Sequence, residues 1–458
     1  MLTIQGRPDK GNNGFCDGFS RRGFLTIGGA AMGGLALSQI LEMEALAGAG
    51  SSHKAIINIY LPGGPSHLDM WDLKPNAPSE IRGEFSPIKT NVPGMEICEM
   101  FPRLATMADK FAIIRTLADS DGRHDCYQCM TGRRFGDRKP GGGDWPSAGA
   151  WVSRLAGAAD PSVPPNLALM YPTGNRTWGE PGTAGFLDIA HNPFNIVGRK
   201  PRETPDSMVL QGMSLERLAD RNQLRSSLDR FRRDADVARK MLSVDTYTDQ
   251  ALDILTDSKL VEALDLSRED PRIVERYGKS DEKFQRDGAP KMIENFCIAR
   301  RLVEAGARYV SLNYSRWDWH GGDGMNYPRS REEMPLLDQG LSALISDLHE
   351  RGLDKDVVVV MWGEFGRTPK INQRNSRDHW PKNNACIVAG GGLRTGQVIG
   401  ETNKYGEEPA KRPVKFQEVF ATLYHGMGLD AHSDRIFDGG GTPRYPVDAG
   451  IEPLRELV

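Results

Sequence analysis

The sequence has no excess of basic charge and no framework of paired cysteines. Its 58 lysines and arginines stand against 61 aspartates and glutamates, a net charge of −3. A nucleic-acid-binding domain usually carries a strongly basic surface, so this balance argues against that class of partner. The six cysteines are sparse and irregularly spaced, which excludes a disulfide scaffold. Cys126 and Cys129 form one C-x-x-C pair, but the second pair that a structural zinc site usually needs is missing.

Long hydrophobic runs are also scarce, and glycine and proline are abundant instead. The 458 residues include 51 glycines and 29 prolines, and 39% are apolar. This composition is typical of a large catalytic domain with extended loops, and it excludes a membrane protein or a disordered chain. Beyond the N-terminal segment there is no repeat at about 20 to 50 residues and no low-complexity linker. We therefore expect a single domain over residues 50–458.

The N-terminal segment has the order of features found in a signal peptide. Arg21 and Arg22 precede a short apolar run rich in glycine and alanine, and small residues follow. The paired arginines resemble a twin-arginine export signal, and the small residues predict cleavage near Ala47 or Ala49. The alternative is a buried helix with chance arginines. We expect residues 1–49 to direct the chain to the twin-arginine export machinery, leaving a periplasmic or extracellular protein without a stable membrane span.

Apolar strands alternate with helices along the rest of the chain. Strands are predicted at 54–61, 111–117, 166–170, 307–314, 356–363 and 385–390. Helices are predicted at 101–109, 147–158, 214–243, 290–305, 331–352 and 415–427. Because the strands are apolar throughout rather than alternating, both faces of their sheet should be covered. The pattern predicts an α/β fold, a three-layer α/β/α sandwich around a mainly parallel, doubly wound sheet, with a helical insert at about 205–285.

Polar residues that can carry chemistry collect in the loops at the strand ends. These candidates are Ser66, His67, Asp69, Ser120, His124, Asp318, His320, Glu364, Arg367, Arg377 and His379. Ligands bind outside the carboxyl ends of the strands in such sheets, so we expect the loops to converge. Converging carboxylates are costly without a cation, and imidazoles mixed with carboxylates suit Zn²⁺, Mn²⁺ or Fe, whereas oxygen alone suits Ca²⁺. The alternative for each loop is a local hydrogen bond in a polar turn.

Two arginines and one short helix point to an anionic ligand. Guanidinium groups bind phosphate or sulfate through two hydrogen bonds, so Arg367 and Arg377 are candidate anion-binding residues. Surface ion pairs are the alternative for both. The loop that holds Ser120 and His124 precedes a predicted helix, whose N-terminus favours an anion.

Five motifs together resemble one family of secreted bacterial proteins. The motifs are GGPSHLDMWDLKP, HDCYQCMTGRR, WDWH, GEFGRTP and RDHWP, and with the export signal they resemble the family called domain of unknown function 1501 over roughly 50–450. That family is similar to the alkaline phosphatase and sulfatase superfamily. The resemblance implies an alkaline-phosphatase-like fold and a divalent metal, zinc rather than the alternatives calcium and manganese. It implies these metal ligands: Asp318, His320, Glu364 and His379.

The same resemblance implies a reaction, and its departures imply a simplified site. Ser120 matches the place of the superfamily nucleophile, and His124 is an acid/base or ligand candidate. The first strand ends in Leu61-Pro62-Gly63-Gly64, without the usual acid, and Phe365 stands where a histidine for a second metal is common. We therefore expect one metal.

Three functions remain open from the sequence. The first is an exported metal-dependent hydrolase of phosphate or sulfate esters, acting on an anionic ester substrate. The second is a non-catalytic exported binding protein with a degenerate metal site, whose partner is a ligand or a surface polymer. The third is a different metal-assisted transferase or isomerase on the same scaffold.

Overall fold

The structure, a computed structural model, describes most of the chain that follows the N-terminal segment. The described residues are 54–138, 144–174, 177–203, 258–321, 325–438 and 440–458. The predicted signal peptide, the predicted helix at 214–243 and the larger part of the predicted insert lie outside them. These three features therefore stay predictions.

A nine-stranded sheet forms the centre of the described chain. Its strands are β1 (Ala55–Tyr60), β2 (Phe111–Ala118), β3 (Asn166–Leu169), β4 (Phe194–Asn195), β5 (Tyr309–Asn313), β6 (Val357–Trp362), β7 (Asn384–Gly390), β8 (Gln397–Ile399) and β9 (Val414–Lys415). They lie in the order β8-β2-β7-β6-β1-β5-β3-β4, and β9 also pairs with β2. All six strands predicted from the apolar runs are present.

One strand of this sheet runs against the others. β1 pairs in parallel with β5 and β6, β3 pairs in parallel with β4 and β5, and β8 and β9 are parallel to β2. β7 is antiparallel to both of its neighbours, β6 and β2. The sheet is thus mainly parallel, as predicted, with β7 inverted. Consequently β7 begins at the edge where β1, β2, β5 and β6 end.

Helices and short hairpins surround the sheet. The α-helices are α1 (His67–Met70), α2 (Ser79–Arg82), α3 (Pro102–Ala105), α4 (Tyr127–Thr131), α5 (Ala148–Ala156), α6 (Ser258–Leu264), α7 (Pro271–Tyr277), α8 (Glu294–Ala305), α9 (Asn326–Glu350) and α10 (Phe416–Gly426). The hairpins pair Pro87–Lys89 with Glu96–Cys98, Asp281–Phe284 with Pro290–Lys291, Gly366–Arg367 with His379–Trp380, Glu401–Thr402 with Pro409–Lys411, and Ile436–Phe437 with Pro443–Arg444. Among the helices that the structure describes, none is both long and apolar enough to cross a membrane.

Hydrophobic side chains cover both faces of the sheet. Ile57 lies in one buried cluster, to which α8 contributes Leu302. Its neighbour Ile56 points the other way, into a second cluster with Trp151 of α5 and Phe420 of α10. Each such aliphatic side chain contributes about 1.5–3 kcal/mol on burial. Two cores on opposite faces make the three-layer α/β/α sandwich that the apolar strands predict.

The apolar strand β1 carries a buried amide that links it to its neighbours. Asn58 Nδ2 donates to the Tyr309 hydroxyl of β5 at 2.8 Å and to the Cys129 carbonyl of α4 at 3.1 Å. Its Oδ1 accepts from Trp362 Nε1 of β6 at 2.9 Å. A buried polar group is tolerated when it is hydrogen-bonded, so Asn58 aligns three strands and one helix.

We expect Asn58→Ala to lower the free energy of unfolding by about 2–5 kcal/mol, because each buried partner left without a hydrogen bond costs about 1–3 kcal/mol. Urea denaturation followed by tryptophan fluorescence measures the change. Asn91→Ala is the control, since Asn91 is exposed and bonds Asp109 at the surface; it should cost less than about 0.5 kcal/mol. Equal losses in both variants would contradict the role of Asn58.

Candidate metal centre

Four segments bring imidazoles and carboxylates together at one edge of the sheet. Asp318 follows β5, Glu364 follows β6, and His124 lies in the loop after β2. His379 precedes β7 and reaches the same edge because β7 is antiparallel. The short pairing of His379 with Arg367 fixes its position beside the loop that follows β6.

The carboxylate of Asp318 lies at the centre of three imidazoles. His379 Nε2 lies 3.0 Å from Asp318 Oδ1, and the Nε2 atoms of His124 and His320 lie 3.4 and 3.3 Å from Oδ2. The ligand-type atoms of His124, Asp318 and His379 all lie within 4.8 Å of one another. Ligands about 2.0–2.2 Å from a tetrahedral ion are roughly 3.4 Å apart, so these side chains could hold a metal ion.

Two buried arginines compensate the charge of Asp318. Arg367 Nη2 donates to Asp318 Oδ1 at 2.8 Å, and Arg316 Nη2 lies 3.3 Å from Oδ2. Burial raises the pKa of Asp318, but the hydrogen bond with His379 and the charge of Arg367 outweigh burial and hold this pKa well below its usual value. Asp318 is therefore ionised at neutral pH.

The imidazoles pack against each other and against aromatic rings. The ring of His379 lies 4.3 Å from that of His124, 5.2 Å from that of His320 and 4.6 Å from that of Phe365, between centroids. Burial lowers the pKa of His379, although its hydrogen bond to Asp318 acts in the opposite direction. His379 is therefore neutral near pH 7, which is the form that binds a metal.

Glu364 follows β6, and its carboxylate lies between His124 and the Gly63–Gly64 turn that follows β1. Its carboxylate accepts from Tyr60 Oη and Trp178 Nε1, each at 2.9 Å, and from the backbone N–H groups of Gly63–Gly64 at 3.0 to 3.2 Å. His124 Nδ1 lies 3.4 Å from Glu364 Oε1. The carboxylate that the first strand itself lacks is thus supplied by the neighbouring strand.

This contact gives His124 a defined orientation. The ring lies between two carboxylates, with Nδ1 3.4 Å from Glu364 Oε1 and Nε2 3.4 Å from Asp318 Oδ2. Metal-ligating histidines usually have such a carboxylate partner on the second ring nitrogen. The two glycines make the arrangement possible, because a Cβ at Gly63 would lie 2.5 Å from the backbone nitrogen of Asp318.

The five predicted metal and acid/base residues lie in one cluster, and three of them form the set with ligand spacing. Asp318 and His379 belong to the set with ligand spacing, and His124 completes it. His320, predicted as a ligand, lies outside that set, and its Nε2 is 3.3 Å from Asp318 Oδ2. Glu364, also predicted as a ligand, accepts hydrogen bonds from Tyr60 Oη and Trp178 Nε1 through its carboxylate oxygens. Sequence spacing could not separate these roles, because they depend on contacts between segments that are distant in the chain.

Ser120, the candidate nucleophile, lies in the same region but is bonded to the backbone. Its hydroxyl donates to the Glu364 carbonyl at 2.6 Å and accepts from the Gly122 N–H at 3.1 Å. These bonds fasten the loop after β2 to the end of β6. The nucleophilic role of Ser120 stays a prediction that these contacts do not support.

Arg367, a candidate anion-binding residue, lies inside the protein. Its side chain is 1% exposed. Besides Asp318, it donates to the carbonyl oxygens of Gly63, Gly64 and Trp317. It therefore holds the ends of β1 and β5 together, and its predicted role in anion binding has no support from these contacts.

Arg377 and the candidates that follow β1 form a buried network, which Arg367 joins to the cluster by donating to the Arg377 carbonyl and to His67 Nδ1. Arg377 donates to both oxygens of Asp69, at 2.8 and 3.0 Å, and Asp69 also accepts from Ser66 and Asn326. Arg377 and Asp69 have side chains 0% and 1% exposed, so this pair serves the interior. His67 is buried as well, and burial lowers its pKa to about 4. None of these hydrogen bonds involves the imidazoles around Asp318.

Solved structures with a distantly similar fold include several hydrolases. They include the PsFucS1 sulfatase from Pseudoalteromonas sp. (12% identity, 86% of this chain, 70% of that chain, TM-score 0.34). They also include the phosphonate monoester hydrolase SpPMH from Silicibacter pomeroyi (11%, 85%, 77%, 0.37) and murine ectonucleotide pyrophosphatase/phosphodiesterase 5 (10%, 83%, 96%, 0.36). Similarity at this level carries no information on substrate or mechanism. No curated protein matches the chain.

One family model matches nearly all of the chain that follows the N-terminal segment. The family model described as "Protein of unknown function (DUF1501)" matches residues 53–458, which include all five motifs and every residue of the centre. The resemblance seen in the motifs is therefore confirmed, and the chain belongs to the DUF1501 family.

Proposed function

We propose that the protein is an exported, metal-dependent hydrolase of phosphate or sulfate esters. The observation that carries the proposal is the set formed by His124, Asp318 and His379, whose ligand-type atoms lie within 4.8 Å of one another. Imidazoles combined with a carboxylate favour zinc over calcium, with manganese as a further alternative. The ester class is the expectation from the motifs, and export is the expectation from the twin-arginine segment.

The protein groups around the proposed metal fit that role. A bound zinc ion would supply Lewis acidity and would orient an anionic ester. Asp318 is kept ionised by Arg367 and by its bond to His379, and His379 is kept neutral by burial. With a metal bound at His124 Nε2, Glu364 would accept the hydrogen bond from Nδ1 and so orient the ring.

His320 is placed to transfer the proton in this scheme. It lies outside the set with ligand spacing, and its side chain is 32% exposed, close to the 34% of His379. Because Nε2 of His320 faces Asp318, Nδ1 would accept a proton from the attacking water or donate one to the leaving group. Asp318, 3.3 Å away, would stabilise the resulting imidazolium. This assignment takes the ligand alternative for His124 and gives His320, predicted as a ligand, the acid/base role.

A non-catalytic binding protein is the second candidate. The hydroxyl of Ser120 is donated to a backbone carbonyl rather than to an imidazole. A site without an activated nucleophile could hold a metal and an anionic ligand without turning it over. This candidate predicts metal binding, and no hydrolysis of any ester.

We expect zinc-loaded wild-type protein to retain about one zinc ion per chain after dialysis. His379→Ala should weaken zinc binding by more than about 100-fold, because it removes a ligand rather than a supporting residue. Metal content by mass spectrometry and affinity by competition with a chelating dye measure both. His349→Ala is the matched control, because His349 also faces an aspartate and has a similar exposed fraction, 32% against 34%. Equal zinc loss in both variants, or no zinc in the wild type, would contradict the centre.

Glu364→Gln should weaken zinc binding by about 10- to 100-fold without abolishing it, the usual effect of losing the partner of a ligand. The amide nitrogen would also face N–H donors where the carboxylate now accepts. The same dye competition measures the affinity, with the exposed Glu401→Gln as the control. Complete loss of zinc would instead identify Glu364 as a direct ligand.

His320→Ala should keep the zinc and lower the hydrolysis rate by about 10²- to 10⁴-fold, the contribution typical of a general acid/base. Release of 4-nitrophenol from its phosphate and sulfate esters measures the rate, and metal content is measured on the same samples. Zinc loss in this variant would return His320 to the ligand set. A zinc-loaded wild type that hydrolyses neither ester would favour the binding protein.

A further inference from the structure

We propose that Arg374 is the residue that binds the anionic group of the ligand at this centre. The inference rests on the proposed function and names a residue that the motifs did not single out. Neither of the two arginines predicted to bind an anion is accessible. Arg367 and Arg377, the two guanidinium groups expected to hold an anion, are 1% and 0% exposed and bond carboxylates and carbonyls of the interior. An anionic ester at the exposed side of the imidazoles therefore needs a different cation.

Arg374 lies against the residue that follows His320. Its side chain crosses the backbone of Gly321 so closely that a Cβ on this glycine would lie 2.7 Å from the Cβ of Arg374 and 3.1 Å from its Cγ. Gly321 also has a φ of 125°, which L-residues with a side chain rarely adopt. The glycine thus makes room for Arg374 directly beside the residue that follows His320.

The loop that carries Arg374 is fixed to the loop that carries His320. Asn372 Oδ1 accepts from the backbone N–H groups of Arg374 and Ser376, at 2.9 and 3.1 Å. Asn372 Nδ2 donates to the carbonyl of His320 at 3.2 Å. Because one side chain bonds both loops, the backbone of Arg374 is held at a set distance from His320. Preorganisation of this kind lowers the entropic cost of ligand binding.

Arg374 also differs from the neighbouring arginines in its charge partners. Arg329 pairs with Glu332, and Arg331 pairs with Glu84. Arg374 is exposed, and none of the ion pairs between described residues involves it. A guanidinium on this rim can offer two parallel N–H groups to phosphate or sulfate oxygens. The chemistry of the ligand is therefore a tetrahedral oxyanion, free or as part of an ester.

Inorganic phosphate is the probe that tests the inference without requiring turnover. We expect full-length, zinc-loaded protein to bind phosphate in isothermal titration calorimetry. Arg374→Gln should weaken that binding by about 10-fold or more, as expected for a charge-assisted hydrogen bond. Arg374→Lys should fall between the two, because it keeps the charge and loses the paired geometry.

Arg455→Gln is the control that removes the same charge at a distance. Its backbone carbonyl accepts from Arg394, which follows β7 at the opposite edge of the sheet. Phosphate affinity should be unchanged in this variant, and thermal unfolding should show that all variants are folded. Wild-type affinity in Arg374→Gln, an equal loss in Arg455→Gln, or no phosphate binding by the wild type would each overturn the inference.

Zinc content measured on the same samples separates this inference from the proposed function. Arg374→Gln should retain wild-type zinc, since Arg374 is not among the residues with ligand spacing. A wild type that binds zinc while Arg374→Gln binds phosphate normally overturns the role of Arg374 and leaves the metal centre intact. A wild type without zinc whose phosphate binding still depends on Arg374 overturns the metal centre alone.

Discussion

The structure around the candidate centre depends on one buried negative charge, that of Asp318. A carboxylate removed from water must be compensated, or it takes up a proton. Arg367 and Arg316 supply that compensation from within the protein. Arg367 at the same time bonds the carbonyl oxygens at the end of β1. The charge of the candidate ligand and the alignment of the strand ends are therefore maintained by the same side chain.

The inverted strand β7 decides which residues can join the centre. In a fully parallel sheet, the segment before a strand lies at the amino edge, far from the ends of β1, β5 and β6. Because β7 is antiparallel to β6 and β2, the residues before it reach the carboxyl edge. His379 lies next to Asp318 for this reason, and its backbone pairing with Arg367 fixes its position beside the loop that follows β6.

The sequence predicted the layers of the fold and the members of the cluster, because both follow from local patterns. Apolar runs identify buried strands, and polar residues after them identify the loops at the edge. Strand direction and the allocation of roles depend on contacts between distant segments, which no local pattern contains. Arg367 is polar and follows a strand, yet it lies inside because two carbonyl oxygens of the Gly63–Gly64 turn face it. The backbone N–H groups of the same turn donate to Glu364, a contact that no local pattern contains.

The bond between Gly63 and Glu364 joins residues 301 positions apart, and the contact of His124 with Glu364 spans 240 positions. Contacts of such separation form late, because the entropy of closing large loops is lost before the contacts are gained. The residues of the centre therefore cannot come together while the chain is still incomplete. During synthesis, the imidazoles acquire their geometry only when β6 and β7 have joined the sheet, so metal uptake would mark a chain that has completed its fold.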